Sequence, residues 1–198
     1  MLHERLSWQD HIRSVLPKCY SIVAVIRRAK SIGLPTECLV LMYRALLVPI
    51  LTYCVSVWGG CYENVAERAQ IIQNDAVRAI AGIHRSRSAR DAAKNLKFLR
   101  FEDIRDIAVA VLARRVTRST ILSSTLPPLV PLARRSTRRQ TMFKTPLAKH
   151  TYHRQSLLYR MPKVWGSIPQ DIRALPSRRK FVKELTRRVH SRSRLCPK

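Results

Sequence analysis

Residues Leu39 to Trp58 form a run of twenty in which only Arg44, Pro49, Thr52 and Ser56 are not apolar. The run is long enough to cross a bilayer. Arg44, however, sits five residues inside it, where membrane insertion is penalised. The expectation is therefore a buried helix and no membrane partner. Pro35 would stand at its first helical position with Thr36 beside it, Pro49 would kink it, and Gly59-Gly60 would end it.

The flanking segments carry apolar residues at helical spacing. Ile12, Val15, Leu16, Cys19, Val23 and Ile26 make one such series, with Pro17 interrupting near its start. Arg27, Arg28 and Lys30 close it, where cations suit the helix dipole. Gly33-Leu34-Pro35 is a break. Val65, Ala69, Ile72, Ala76 and Ile80 form a single-face stripe ending at Gly82. Ser86 to Ser88 reads as a basic turn, followed by a short helix over 88–98. Ile104, Ile107, Ala108, Val111 and Leu112 mark a further helix, with Glu102 and Asp103 at its positive end and Arg114, Arg115 and Arg118 at its negative end. Leu126-Pro127-Pro128 and Pro131 then stop helical structure. Trp165 to Ile172 reads as a compact turn around Pro169, and Ser177 as the N-cap of a last helix with Phe181, Val182, Leu185 and Val189 on its apolar side. No strand-period run occurs in the first 120 residues. The fold class is mainly α. A helical bundle is expected over 1–122, a basic Pro/Ser/Thr-rich linker with short extended pieces over 123–162, and a basic helical segment over 163–198.

Charge then divides the chain. There are 38 Lys+Arg against 12 Asp+Glu, a net +26. Positions 1–70 hold eight basic and five acidic residues, and positions 71–110 the same, so each window is +3. Positions 111–198 hold 22 basic residues and two acids, Asp171 and Glu184, for +20. Solvated faces normally mix signs, so the last part is a cationic lobe or arm. Arginine outnumbers lysine 28 to 10, and its planar fork matches phosphate oxygens. Such a chain expects a polyanion, with nucleic acid the first candidate.

The five cysteines, Cys19, Cys38, Cys54, Cys61 and Cys196, are odd in number and form no CxxC. With no secretory signal at the N-terminus, they read as free buried or tail thiols in a reducing, intracellular compartment, nuclear or cytoplasmic. His150-x-x-His153 has no Cys or carboxylate nearby in sequence and reads as a surface or phosphate-facing pair rather than a metal site. No Gly-rich phosphate loop, HExxH or GxSxG is present. The tight acidic group Glu102-Asp103 with Asp106 is explained by the helix dipole. No enzyme activity, cofactor or metal is expected. Nucleic-acid features are better represented. Arg134, Arg135, Arg138, Arg139, Lys144 and Lys149 lie in a stretch without an acid, and Phe143, Tyr152 and Tyr159 interleave. On the last helix Arg179, Lys180, Lys183 and Arg187 point away from the apolar side.

An ordered set of landmarks runs through the chain. It comprises Leu6-Ser7-Trp8 with His11-Ile12, then Leu34-Pro35, then Leu41 and Tyr43 through Pro49. Tyr53 with Val57-Trp58-Gly59 follows, then Ile72-Gln73-Asn74 with Arg78, Ile80 and Gly82. Downstream stand Arg138, Pro146, Trp165 with Ile168-Pro169 and Ile172, and Phe181 with Leu185. In order and spacing these resemble the C-terminal region of reverse transcriptases from non-LTR (LINE-type, jockey-like) retrotransposons, over nearly the whole chain. The resemblance implies the helical thumb and C-terminal extension that follow the polymerase palm and grip RNA template and RNA–DNA hybrid. In the family the catalytic aspartates and an endonuclease domain lie upstream, so the resemblance implies a non-catalytic, truncated or decayed reading frame. Two departures are Gly166, where the family often has Asn, and Pro17 in the first helix. The expected partners are RNA, DNA or their hybrid, contacted by Arg114, Arg115, Arg118, Arg134, Arg135, Arg138, Arg139, Lys144, Lys149, Arg179, Lys180, Lys183 and Arg187. The alternative is a protein-interaction fragment that self-associates or pairs with a separate palm, or a decayed product without function. The residues themselves allow blander roles: Trp8, Tyr43, Tyr53 and Trp58 suit packing anchors, and Gln73 and Asn74 suit hydrogen bonds between helices.

Overall fold

The computed structural model describes residues 8–60, 63–119, 145, 147, 154 and 156–195. Among them the protein is mainly helical and contains no strand. It divides into two compact units, Met1–Ile104 and Arg105–Lys198. The division falls inside a helix rather than near residue 122.

Unit 1 opens with α1, Gln9–Ser31. The helix continues through Pro17 instead of being interrupted there. Pro17 lies on the exposed side, so its ring meets solvent, and its carbonyl accepts from the Ser21 hydroxyl at 3.1 Å. Ile12, Val15, Cys19, Val23, Ile26 and Ala29 are buried at the spacing the sequence suggests.

The apolar run is not one helix. It is built as α2 (Thr36–Met42), a π-helical turn (Tyr43–Leu47), α3 (Val48–Thr52) and α4 (Val55–Trp58). Pro35 caps α2 from outside rather than occupying its first position. The break comes at Tyr53 and Cys54, where Cys54 is left-handed at φ 51°. Pro49 sits instead at the start of α3, where a proline ring is tolerated. The buried residues Leu39, Tyr43, Leu47, Leu51 and Val55 recur strictly every four positions. An α-helix turns once per 3.6 residues, so a four-residue repeat drifts around it. The wider π-turn absorbs part of that drift. Among the described residues no helix is long and apolar enough to cross a membrane.

Helix α5 (Glu63–Ala81) is buried on more than the one stripe read from the sequence. Ile72, Gln73, Asp75, Ala76, Val77, Ala79 and Ile80 are all buried. Its buried polar members are held, although Gln73 Oε1 has no hydrogen-bond partner among the described residues. Gln73 Nε2 donates to the Tyr43 hydroxyl at 2.9 Å, and Asp75 pairs with Arg78 at 2.9 Å. Asn74 accepts from Gln70 within the helix. The Tyr43 ring stacks on Phe98 at 4.2 Å, and Trp58 stacks on Phe101 at 5.5 Å. Tyr53, by contrast, is 68% exposed and is no packing anchor, although its carbonyl accepts from the Trp58 indole. At one end the His11 ring lies 5.6 Å from Trp58, just ahead of α5. At the other end Lys30 reaches Gly82, where a Cβ would stand 3.5 Å from Lys30 Cε. Helices α1 and α5 thus run side by side in the same direction, and α2–α4 carry the chain back between them. The short α6 spans Arg90–Asn95. Cys19 is a buried free thiol, pushed up to about 11 by burial, whereas Cys38 and Cys54 are free but exposed rather than buried. Cys61 and Cys196 lie outside the described residues.

Helix α7 spans Phe101–Arg118 and enters unit 2 at Arg105. Unit 2 continues with α8 (Leu157–Ser167), α9 (Gln170–Ala174) and α10 (Arg178–Leu195). Helix α8 starts within the stretch read as a linker. Ser156 caps it, its hydroxyl accepting from Tyr159 N. Trp165 lies within α8 instead of in a turn, and Ile168-Pro169 makes the only break before α9. The core joins Val109, Ala110, Ala113 and Val116 of α7 to Met161, Trp165, Ile172, Phe181 and Leu185.

Two outcomes follow for unit 1. Tyr43→Phe should cost about 1–3 kcal/mol by stranding the buried Gln73 amide. Adding Gln73→Met should recover part of the loss, and a double-mutant cycle in urea measures the coupling. The second concerns His11, whose Nε2 is buried without a hydrogen-bond partner among the described residues. Burial holds its imidazole below the ordinary value of about 6.5. The unfolded chain then binds more protons than the folded one just below that pH, so stability falls as pH drops through about 6.5. Melting temperatures between pH 7.5 and 5 should decline in the parent and decline less in His11→Gln.

Candidate nucleic-acid interface

Helix α10 carries the clearest cationic surface. Arg178, Arg179, Lys180, Lys183, Arg187 and Arg188 are exposed, while Phe181 and Leu185 are buried. With 3.6 residues per turn, Arg179, Lys183 and Arg187 fall within an arc of about 80° and step about 6 Å along the axis. Glu184 is the one acid of this helix. It binds the neighbouring Arg187, whose Nε lies 3.0 Å from Oε2. Arg187 holds the Glu184 carboxyl below the usual carboxylate range, and Glu184 raises the guanidinium in turn. The pair is solvent-exposed and screened, so it leaves Arg187 available to a stronger anion. Arg179, Lys180 and Lys183 form no ion pair among the described residues. Arg188, absent from the sequence-derived set, joins them on the exposed side.

Of the four arginines of α7, Arg105 pairs with Asp106 and the other three have different fates. Arg115 is exposed. Arg114 is only 4% exposed, which corrects its reading as a surface contact. Its Nη1 and Nη2 donate to Leu175 O at 3.0 and 2.8 Å, and Nη2 also donates to Pro176 O at 2.7 Å. The guanidinium stands 5.1 Å from the centre of the Phe181 ring. Burial lowers its affinity for the proton, and Arg118 adds to this. Arg118 is exposed but also engaged, donating to Pro176 O and Leu175 O at 3.1 Å each. These two cations hold the connection between α9 and α10. Leu175 precedes a proline and is extended (φ −54°, ψ 129°), so its carbonyl leaves the helix and meets them.

A second structural network joins Asp106 to Arg105 at 3.1 Å and to Arg160 at 2.8 Å. Asp103 of the same acidic group pairs with Arg100 in unit 1. No cluster of His, Cys, Asp or Glu among the described residues could hold a metal ion. Tyr159 is half-buried. Lys163 Nζ lies 4.1 Å from its ring centre and donates to its hydroxyl, which lowers the phenol from its ordinary value. Its ring is thus already covered by a cation. Arg134, Arg135, Arg138, Arg139, Lys144 and Lys149, with Phe143 and Tyr152, lie outside the described residues. Comparison with family models, with curated proteins and with solved structures yields no match.

Replacing Arg114 should destabilise unit 2. Arg114→Ala removes hydrogen bonds from a charged donor to two carbonyls, a loss of about 2–3 kcal/mol. Arg114→Lys should recover only part of it, because a point charge cannot fork between both oxygens. Thermal unfolding followed by circular dichroism and Trp165 fluorescence checks both variants.

Proposed function

We propose that this chain is a non-catalytic fragment of a LINE-type reverse transcriptase that binds RNA, DNA or their hybrid through phosphate. The observation that carries the reading is the exposed cation face of α10, within a region holding 22 basic and two acidic residues. Arg115 of α7 adds to the same kind of surface, and Arg114 and Arg118 serve by holding the loop that starts α10. The family resemblance supports the reading through its landmarks. Among them Tyr43, Trp58, Gln73, Ile80, Trp165, Ile172, Phe181 and Leu185 occupy buried positions, where side-chain identity is most constrained, whereas Leu41, Tyr53 and Val57 are exposed. Recognition would be sequence-tolerant, since phosphate contacts position a strand without reading its bases.

Neutralising about six phosphates should give a log–log salt slope near −4 to −5 for a labelled RNA–DNA hybrid. Fluorescence anisotropy across a potassium chloride series measures it. Affinity that does not change with salt would overturn the reading.

A second reading has its own observation. Leu41, Leu46, Tyr53 and Val57 are 66%, 45%, 68% and 42% exposed on one stretch of unit 1. Apolar side chains so presented favour a protein-interaction fragment that meets a separate palm or itself. Light scattering that shows a monomer at high concentration would count against self-association.

A further inference from the structure

Unit 1 has windows of only +3 along its sequence, yet its fold gathers cations at one end. Arg27 and Arg28 are exposed in the last turn-and-a-half of α1, and Lys30 reaches across to Gly82 at the end of α5. Beyond Gly82 the chain turns, exposing Arg85, Ser86 and Arg87. The turn is tied down at several points. Arg78 Nε donates to Arg87 O at 2.9 Å, Arg87 N donates to His84 O at 3.0 Å, and Ser86 N donates to His84 Nδ1 at 3.3 Å. Arg78 is itself held by the buried Asp75.

The acids close to these segments in sequence are few. Asp75 is taken by Arg78, and Glu37 and Asp91 are exposed. Among the described residues no ion pair joins Arg27, Arg28, Lys30, Arg85 or Arg87 to a carboxylate. The helix dipole accounts for cations in the last turn of α1. It does not account for Arg85 and Arg87, which lie beyond α5 in a turn set by its own hydrogen bonds. The Ser86 hydroxyl is engaged with His84 Nδ1 at 2.8 Å, so the donors left for phosphate oxygens are the guanidinium groups flanking it on an ordered backbone.

We propose that this end of unit 1 is a second phosphodiester-binding surface, gripping the backbone of a nucleic acid through Arg27, Arg28, Lys30, Arg85 and Arg87. The proposal rests on the nucleic-acid reading above and extends it to a site outside the basic lobe. Each surface would make its own phosphate contacts, so each contributes separately to the salt slope.

The test compares three full-length proteins on a labelled 20-base-pair RNA–DNA hybrid: the parent, Arg85→Gln/Arg87→Gln, and Arg179→Gln/Lys183→Gln. Losing two phosphate contacts should make the slope shallower by about 1.4–1.8 and weaken binding roughly tenfold or more at 0.1 M salt. Both variants should show this, with melting temperatures like the parent's. If only the α10 variant weakens, the unit 1 surface is refuted while the nucleic-acid reading stands. If the parent shows no salt-dependent binding, both fall. If Arg85→Gln/Arg87→Gln binds the hybrid normally but loses anionic phosphatidylserine vesicles, the surface faces a membrane and the proposal is wrong. Photo-crosslinking of the parent to a 4-thiouridine RNA strand gives a readout free of variant folding. Adducts on the 83–90 segment support the proposal, and adducts confined to unit 2 overturn it.

Discussion

A guanidinium buried among apolar side chains sets the terms for unit 2. Desolvating a cation is costly unless hydrogen bonds and a partner offset it. A carboxylate would be the ordinary partner, but residues 111–198 contain only Asp171 and Glu184. Arg114 instead takes the carbonyls of Leu175 and Pro176 and the face of Phe181. Neutral dipoles thus do the work of an anion where anions are scarce. Because those carbonyls belong to the junction of α9 and α10, the same contact fixes where α10 begins and which side of it faces out. The exposed cation face follows from the buried one.

Unit 1 solves the opposite problem. Its central helix α5 is buried widely enough that Gln73 and Asp75 lie out of water. Gln73 is met by Tyr43 and Asp75 by Arg78, and Arg78 extends the chain of contacts to the Arg87 carbonyl. A buried aspartate, through one arginine, therefore orders a surface turn. Trp58, His11 and Phe101 close the other end, and Gln70 accepts the first amide of α7 at 2.9 Å.

Much of this was legible in the residues, and the failures have physical causes. The α1 stripe, the Ser86–Ser88 turn and the apolar side of α10 follow from periodicity and punctuation alone. Pro17 is deceptive because its lost N–H and its ring, set against the carbonyl one turn back, fall on the exposed side, where water can take the freed carbonyl while the buried stripe opposite carries the helix through. The 39–58 run misled because continuous hydrophobicity hides phase: every position looks buried, so the break at Tyr53-Cys54 left no compositional mark. The four-residue spacing that goes with the π-turn is a spacing of burial, which a run apolar at nearly every position does not display. Arg114 looked like any other basic residue, since its burial depends on carbonyls about sixty positions away. In the sequence the cations of unit 1 read as a helix end and a separate basic turn, because charge along the chain is local, while the fold sums it in space.

The π-turn at Tyr43–Leu47 works as a vernier between two pitches. On either side of it, adding or removing one residue would rotate the chain beyond by about 100°. Leu51 and Val55 would then leave the side occupied by Leu39 and Tyr43, and the Gln73–Tyr43 bond would lose its register. In this stretch the residue count is held more tightly than the residue types. Leucine, isoleucine, valine and methionine can trade places there at modest cost, but the number of residues between Leu39 and Trp58 cannot change without unseating the helix they surround.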